Sequence, residues 1–473
     1  MFPRLNQNQI ESIKKETERV LEKTGCRIFD AGIRKKCRQA GAIVEDENEL
    51  VRFPGPLLRE LLAKLPSSFT LADRRGRPIF VDSKHMYCHA IVIDPWIIDY
   101  ETQKPRRPVL QDMRKHTIIA QKLDNVAAIS RMDFPVEDVE EPISSMRALE
   151  EHLLYHEKHI YIFAASLESY KQWLEIGEIL LEGRRVDGSG YMSAAVGVVS
   201  PLTVSPFNCA ILQDAASRNF MIIPTICPMA GTTGPYSITG MVLLGNIENI
   251  MVAALTQILN PGNPFLYSYG PSVANMRSGY DMYYTLDKIP WKVAVAQMAQ
   301  SYQIPVAVEC GGTMSYRYDM QAGAEGMLFM LSAVSTGANF INGIGSCYNA
   351  IGMSAEMMLV HQAWLKAAGF LMREFRTDDL GQLAETIMKT GPGGNYLIDG
   401  TTLRNLRSGE FFSSDLFDMS GGFDESVPLI ERAHKKVQEM VSDVRSPLPK
   451  KVQEEINRYF RKEYEKLQVA PHK

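Results

Sequence analysis

Very little in this chain of 473 residues ties it to a membrane, a nucleic acid or an oxidising compartment. No apolar run approaches the roughly 18 residues of a spanning helix. The opening MFPRLNQNQIESIKKE lacks the apolar core of a signal peptide. Lys and Arg are interspersed with Asp and Glu at a formal net charge of −4, so no basic stripe awaits a nucleic acid or an anionic membrane. Seven cysteines, at 26, 37, 88, 209, 227, 310 and 347, are odd in number and unpaired in spacing, which argues against a disulfide framework. Low-complexity tracts and short repeats are missing too. The expectation is a cytoplasmic protein.

The motifs of several familiar chemistries are also absent. EEHLLYHEKH places His152, His156 and His159 close together, but it is not H-E-x-x-H and it precedes an apolar strand pattern instead of following one. It reads as structure, and no metal is expected. Cys310 and Cys347 follow strand patterns without a histidine beside them and read as small buried side chains. GIGSCYNAIG begins as G-x-G but lacks the third glycine of a dinucleotide loop, and no P-loop lysine exists. There is no G-x-S-x-G elbow and no corrinoid-binding D-x-H-x-x-G run.

The chain is nonetheless 45% hydrophobic, ample for a large core. Residues 7–24 and 30–40 carry helical spacing closed by Gly25 and Gly41, PGPLLRELLAKLP is a third helical pattern, and FTLADRRGRPIFVD alternates like a hairpin. From about residue 110, helical patterns alternate with short apolar runs at Val126–Met132, Ile160–Ala165, Met192–Val199, Ile222–Cys227, Phe265–Tyr269, Val306–Glu309 and Ala338–Ile341. Such alternation predicts a parallel sheet with crossover helices. Seven units, with a candidate eighth near Asn395–Ile398, fit an α/β fold of the (β/α)8 TIM type better than an open sheet. The predicted division is an amino-terminal α/β extension over 1–110, the barrel over 111–425 and charged amphipathic helices over 426–473.

In a barrel the active site gathers at the carboxyl ends of the strands. The segments there are rich in aromatics: Tyr267, Tyr269, Tyr280, Tyr283, Tyr284, Tyr316, Tyr318, Phe340 and Tyr348, with Asp281, Asp319 and Glu248 among them. Rings with a few carboxylates suit a quaternary ammonium ion, which cannot donate a hydrogen bond and is held by electron-rich faces at roughly 0.5–2 kcal/mol per contact. Arg277 or Arg317 could clamp a carboxylate at the other end of such a ligand.

The stretches VLEKTGCRIFD…GAIVEDENELVRFP, GTTGPYSITGMVLLGNIENI…NPGNPFLYSYG, MRSGYD, DMQAGAE, STGANFINGIG and GPGGNYL span nearly the whole chain. Together they resemble the trimethylamine methyltransferase superfamily of corrinoid-dependent methyltransferases, whose fold is a β/α barrel. Members resembling trimethylamine methyltransferase itself carry pyrrolysine near the segment matching GANFINGIG. Standard residues stand there in this chain, which makes it similar to the quaternary-amine demethylases, of which the glycine betaine enzyme is the best-known kind. The resemblance implies methyl transfer from a betaine to the Co(I) corrinoid of a separate corrinoid protein, in metabolism of the methanogenic or acetogenic type. It leaves proline betaine, carnitine and γ-butyrobetaine open as substrates. Two readings outside it are a non-catalytic binder of methylated amines and a barrel lyase acting through Asp or Glu. The expected substrate-binding residues are Asp281, Tyr280, Tyr316, Asp319, Phe340 and Tyr348, with Arg277 or Arg317 for the carboxylate. Glu248 matches an acidic position of the family, and Gly343 and Gly345 permit approach of the corrinoid. The long amphipathic tail suggests a homo-oligomer.

Overall fold

Seven short strands, each buried on both faces, form one parallel sheet in a computed structural model that describes residues 4–469 apart from Arg407. In spatial order they are Met221–Ile226, Met192–Val198, His159–Ile162, Val126–Ser130, Tyr87–Ile91, Phe340–Ile344 and Ala307–Glu309. Every pairing in this sheet is parallel. Residues 265–267 lie between the two edges: Phe265 bridges to Ile222 and Tyr267 to Val306, both in the parallel sense. Long helices follow most strands and cover the sheet, as parallel topology requires.

The expected eighth strand near Asn395–Ile398 is corrected, because those residues form no strand. Its place is taken by Tyr87–Ile91, within the stretch assigned to the amino-terminal extension. YCHAI carries a central histidine, which interrupts the apolar run by which a buried strand is read.

The amino-terminal helices Gln7–Lys23, Ala31–Gln39 and Gly55–Leu62 occur where their spacing places them, and Asn6 closes the first with a capping box. Phe69–Ala72 and Pro78–Val81 pair as the expected hairpin. Its Leu71, Ile79 and Val81 are buried with Tyr161, Ile223, Leu266, Ala307 and Phe340 inside the curl of the sheet. Each fully buried aliphatic side chain there contributes roughly 1.5–3 kcal/mol, so the hairpin is a floor rather than an ornament.

Ile238–Leu259 is apolar and long enough, at 22 residues, to cross a bilayer by composition alone, which the short apolar runs did not suggest. It is instead a core helix, 78% buried along its most apolar window and packed against the Gln7, Ala31 and Gly55 helices. The tail is two helices, Leu429–Val441 and Lys450–Val469, which pack on the outer helices through Ala433, Val437, Val452, Ile456 and Phe460.

Candidate functional site

A cavity of about 390 Å³ opens at the carboxyl ends of the strands. The two-residue period of a strand builds its walls. His89 and Ile91, Tyr161 and Phe163, Ile223 and Thr225, and Ala307 and Glu309 face inward, while Ala90, Ile160, Ile162 and Val308 join the outer hydrophobic core. Loops after the strands add Phe134, Tyr269, Tyr283 and Tyr284, so six aromatic rings line one small space. Three carboxyls, Asp94, Asp281 and Glu309, share it, and no Lys or Arg is among the lining residues.

Glu309 is the centre of a buried network. Tyr283 donates its hydroxyl to Glu309 Oε1 at 2.5 Å, and Lys288 Nζ lies 2.7 Å from Oε2. The same ammonium sits 2.9 Å from the centroid of the Tyr283 ring. Lys292 donates to the Glu309 backbone carbonyl. Burial alone would raise the Glu309 carboxyl; Lys288 and Lys292, helped by Tyr283, reverse this and hold it below the ordinary carboxylate range. Burial also lowers both lysines, Lys292 to about 7. The outcome is an ionised carboxylate held in an apolar wall.

Asp94 is the opposite case. Burial pushes its carboxyl well above the usual range, with no cation to oppose it. His89 is held neutral by burial, its pKa lowered to about 3. It stacks on Tyr161 at 4.4 Å and shares a 2.7 Å hydrogen bond with Ser130 Oγ through Nε2. His89 and Asn342 face each other beside the cavity, within reach of a side-chain hydrogen bond.

Two glycines shape the wall. A Cβ at Gly312 would overlap the Tyr284 ring, so the ring can lie against backbone only because Gly stands there. Gly343 has φ +88° and is the extra residue where the register between Phe340–Ile344 and Tyr87–Ile91 shifts. The rim carries a second special backbone: Tyr348, Asn349 and Ala350 have φ of 48°, 52° and 61°. Left-handed conformation costs roughly 1–2 kcal/mol per residue. Asn349 offsets it by donating from its backbone to Thr313, donating Nδ2 to the Asp281 carbonyl and accepting from the Tyr283 N–H.

Of the residues expected at the site, Asp281 and Gly343 line the cavity. The others stand elsewhere. Tyr280 is 76% exposed, and Arg277 and Arg317 are exposed outside the cavity. Tyr316 stacks on Tyr348 at 5.2 Å, away from the cavity lining. Asp319 caps the helix Met320–Ser335, accepting from the Ala322 N–H at 2.9 Å and from Ser315 Oγ at 2.7 Å. Phe340 is fully buried in the floor. Glu248 accepts from Ser200 Oγ and the Leu202 N–H and fastens that loop. A Cβ at Gly345 would strike Met358, so this glycine serves packing. Sequence reasoning did not select Glu309, Lys288, Lys292, His89, Asp94 and Tyr161. Two of these had a readable signal: Lys288 and Lys292 are the two charges, four residues apart, of the helix Lys288–Ser301.

The family described as trimethylamine methyltransferase (MTTB) matches residues 1–467. The chain belongs to this family. Its relatives include the glycine betaine methyltransferase of Desulfitobacterium hafniense (strain Y51), 25% identical over 453 residues, which cover 94% of this chain and 93% of the relative. The proline betaine:corrinoid methyltransferase of Eubacterium limosum is 30% identical over 248 residues, 50% of each chain. The L-carnitine:corrinoid methyltransferase of the same organism is 24% identical and covers 88% of this chain and 87% of its own. These relatives are named for glycine betaine, proline betaine and L-carnitine.

Proposed function

We propose that this chain moves a methyl group from a quaternary amine to a corrinoid carried by a separate protein, with glycine betaine as substrate and dimethylglycine as product. The observation that carries the reading is the set of aromatic rings around an ionised, half-buried Glu309 at the carboxyl ends of the strands. The names and identities of the relatives support it. We also read the sheet as a closed ring of eight, starting at Tyr87–Ile91 and completed by the bridges through Phe265 and Tyr267. The seven free cysteines fit a reducing, cytoplasmic setting.

The residues fit a corrinoid laid over the mouth rather than held within. The cavity is sized for a small ligand. When bound, the corrinoid supplies the nucleophile that takes the methyl group, and nitrogen keeps the bonding pair. Tyr283, Tyr284 and Tyr269 surround the cationic head, and Glu309 supplies fixed countercharge in a water-poor space. Lys288 holds Glu309 ionised and in place. A cation arriving beside Asp94 opposes the effect of burial on that carboxyl. As the nitrogen becomes neutral, the grip of rings and carboxylate relaxes.

A second reading concerns the substrate's other end. No Lys or Arg lines the cavity, and Arg277 and Arg317 stand outside, so the walls favour a quaternary amine without a carboxylate. The test is to incubate the protein with reduced cobalamin and glycine betaine, and in parallel with choline, tetramethylammonium, proline betaine, carnitine and γ-butyrobetaine. Demethylated amine is read by mass spectrometry. Dimethylglycine formed only with both components supports the proposal. Faster loss of methyl from tetramethylammonium or choline favours the second reading, and no demethylated product from any amine overturns both.

A further inference from the structure

Beyond the cavity, the largest unexplained feature is the stretch between Arg373 and Gly409. It leaves the body and returns to the same place. Arg373 Nη1 donates to the Gly409 carbonyl at 2.8 Å, and the Phe370 and Phe412 rings meet at 5.5 Å just outside that clasp. Within it are the helices Leu380–Thr390 and Gly400–Asn405, of 11 and 6 residues, and neither has a buried residue. Isolated helices shorter than about 12–15 residues are marginal in water, so these two need a surface to lie on.

Their side chains say what kind. Eight large apolar residues between 375 and 406 are more than half exposed, among them Phe375 at 98%, Leu397 at 79% and Ile398 at 91%. At roughly 100 Å² each they offer on the order of 800 Å², which matches the share of one partner in a standard protein interface, about 800 Å². A single chain in water rarely leaves so much apolar surface open. The position of the clasp argues against the corrinoid carrier. The helix Ala355–Leu371 starts at the cavity rim and runs 17 residues, about 25 Å at 1.5 Å per residue, before the stretch begins. A protein that delivers its group to the mouth has no need of apolar contacts rooted that far below it. A permanent companion present wherever the chain is made suits this surface better, and another copy of the chain is such a companion.

We propose that the stretch between Arg373 and Gly409 is an arm that packs against a second copy of this chain. Light scattering coupled to size exclusion should give the full chain at least twice the mass of one chain. Ile387→Glu combined with Leu397→Glu should return it to the mass of one chain, whereas Leu167→Glu, an exposed apolar site on another helix, should leave the assembly intact. Wild type with the mass of one chain, or a double variant that stays assembled, overturns the proposal. Hydrogen exchange on the wild type is an independent reading that needs no variant. Amides of Leu380–Thr390 should exchange at least tenfold slower than in an unstructured peptide, and full-speed exchange overturns the arm's contact.

Discussion

Two tyrosine pairs stand at the same end of the sheet and differ in almost every other respect. Tyr283 and Tyr284 meet edge to face at 5.2 Å, are held by Glu309 and Ser346, and line the cavity. Tyr316 and Tyr348 stack at 5.2 Å, the Tyr316 ring is half exposed, and neither touches the cavity. Composition is the same in both places. The difference lies in the groups facing them: the first pair meets the Glu309 carboxylate and the Lys288 ammonium, while Tyr348 of the second packs with Ile98, Cys347 and Tyr318 beside the left-handed turn at 348–350. A tyrosine after a barrel strand becomes wall or rim according to whether a charged partner behind it fixes its direction.

Breaking the network behind the first pair should have the largest effect. Lys288→Met leaves Glu309 without its ion partner, and loss of one member of a buried pair costs about 3–5 kcal/mol. Denaturant titration of variant and wild type reads it, and a loss below about 1 kcal/mol would mean that the pair is dispensable. Glu248 sharpens the contrast from a third place, being buried and hydrogen-bonded like the first pair but not part of the cavity lining. Burial raises its pKa from an ordinary 4.5 to about 7, against the hydrogen bonds from Leu202 and Ser200. The folded state therefore holds a proton that the unfolded chain has lost between these values. Stability should be greatest below pH 4.5 and decline toward pH 7, by up to about 3 kcal/mol from this group. Glu248→Gln should flatten that decline in melts across pH while leaving amine affinity unchanged.

Tyr283→Ala should weaken binding of glycine betaine about tenfold or more by calorimetry, since a desolvated cation–π contact contributes up to about 2 kcal/mol. Gly312→Ala pushes the Tyr284 ring from the wall and should weaken the same binding a few-fold, near 1 kcal/mol. Smallest of all, Tyr316→Ala and Tyr348→Ala should each stay within about twofold of wild type. Equal losses from the two tyrosine pairs would erase the distinction between wall and rim.

The repeating units were legible because their apolar runs are long and regular: the strands at Val126, Met192 and Met221 start within a residue of where periodicity places them. Tyr87–Ile91 was not, since a five-residue strand with a central histidine has no pattern of its own and exists because two neighbours pair with it. The site was legible in kind but not in detail. Aromatics and carboxylates at the carboxyl ends were visible as composition. Which of them converge depends on contacts between residues far apart in the chain, such as Tyr283 with Glu309 and Asn349. Asp319 shows the opposite hazard: an acid four residues after Ser315 and just before a helical pattern is a helix cap first.

The hairpin Phe69–Val81 precedes all seven strands it sits beneath. A growing chain thus presents its cork before it makes the bottle, and each strand that emerges afterwards meets a greasy peg already waiting to be wrapped. The curl of the sheet can take its diameter from that peg instead of finding it by trial.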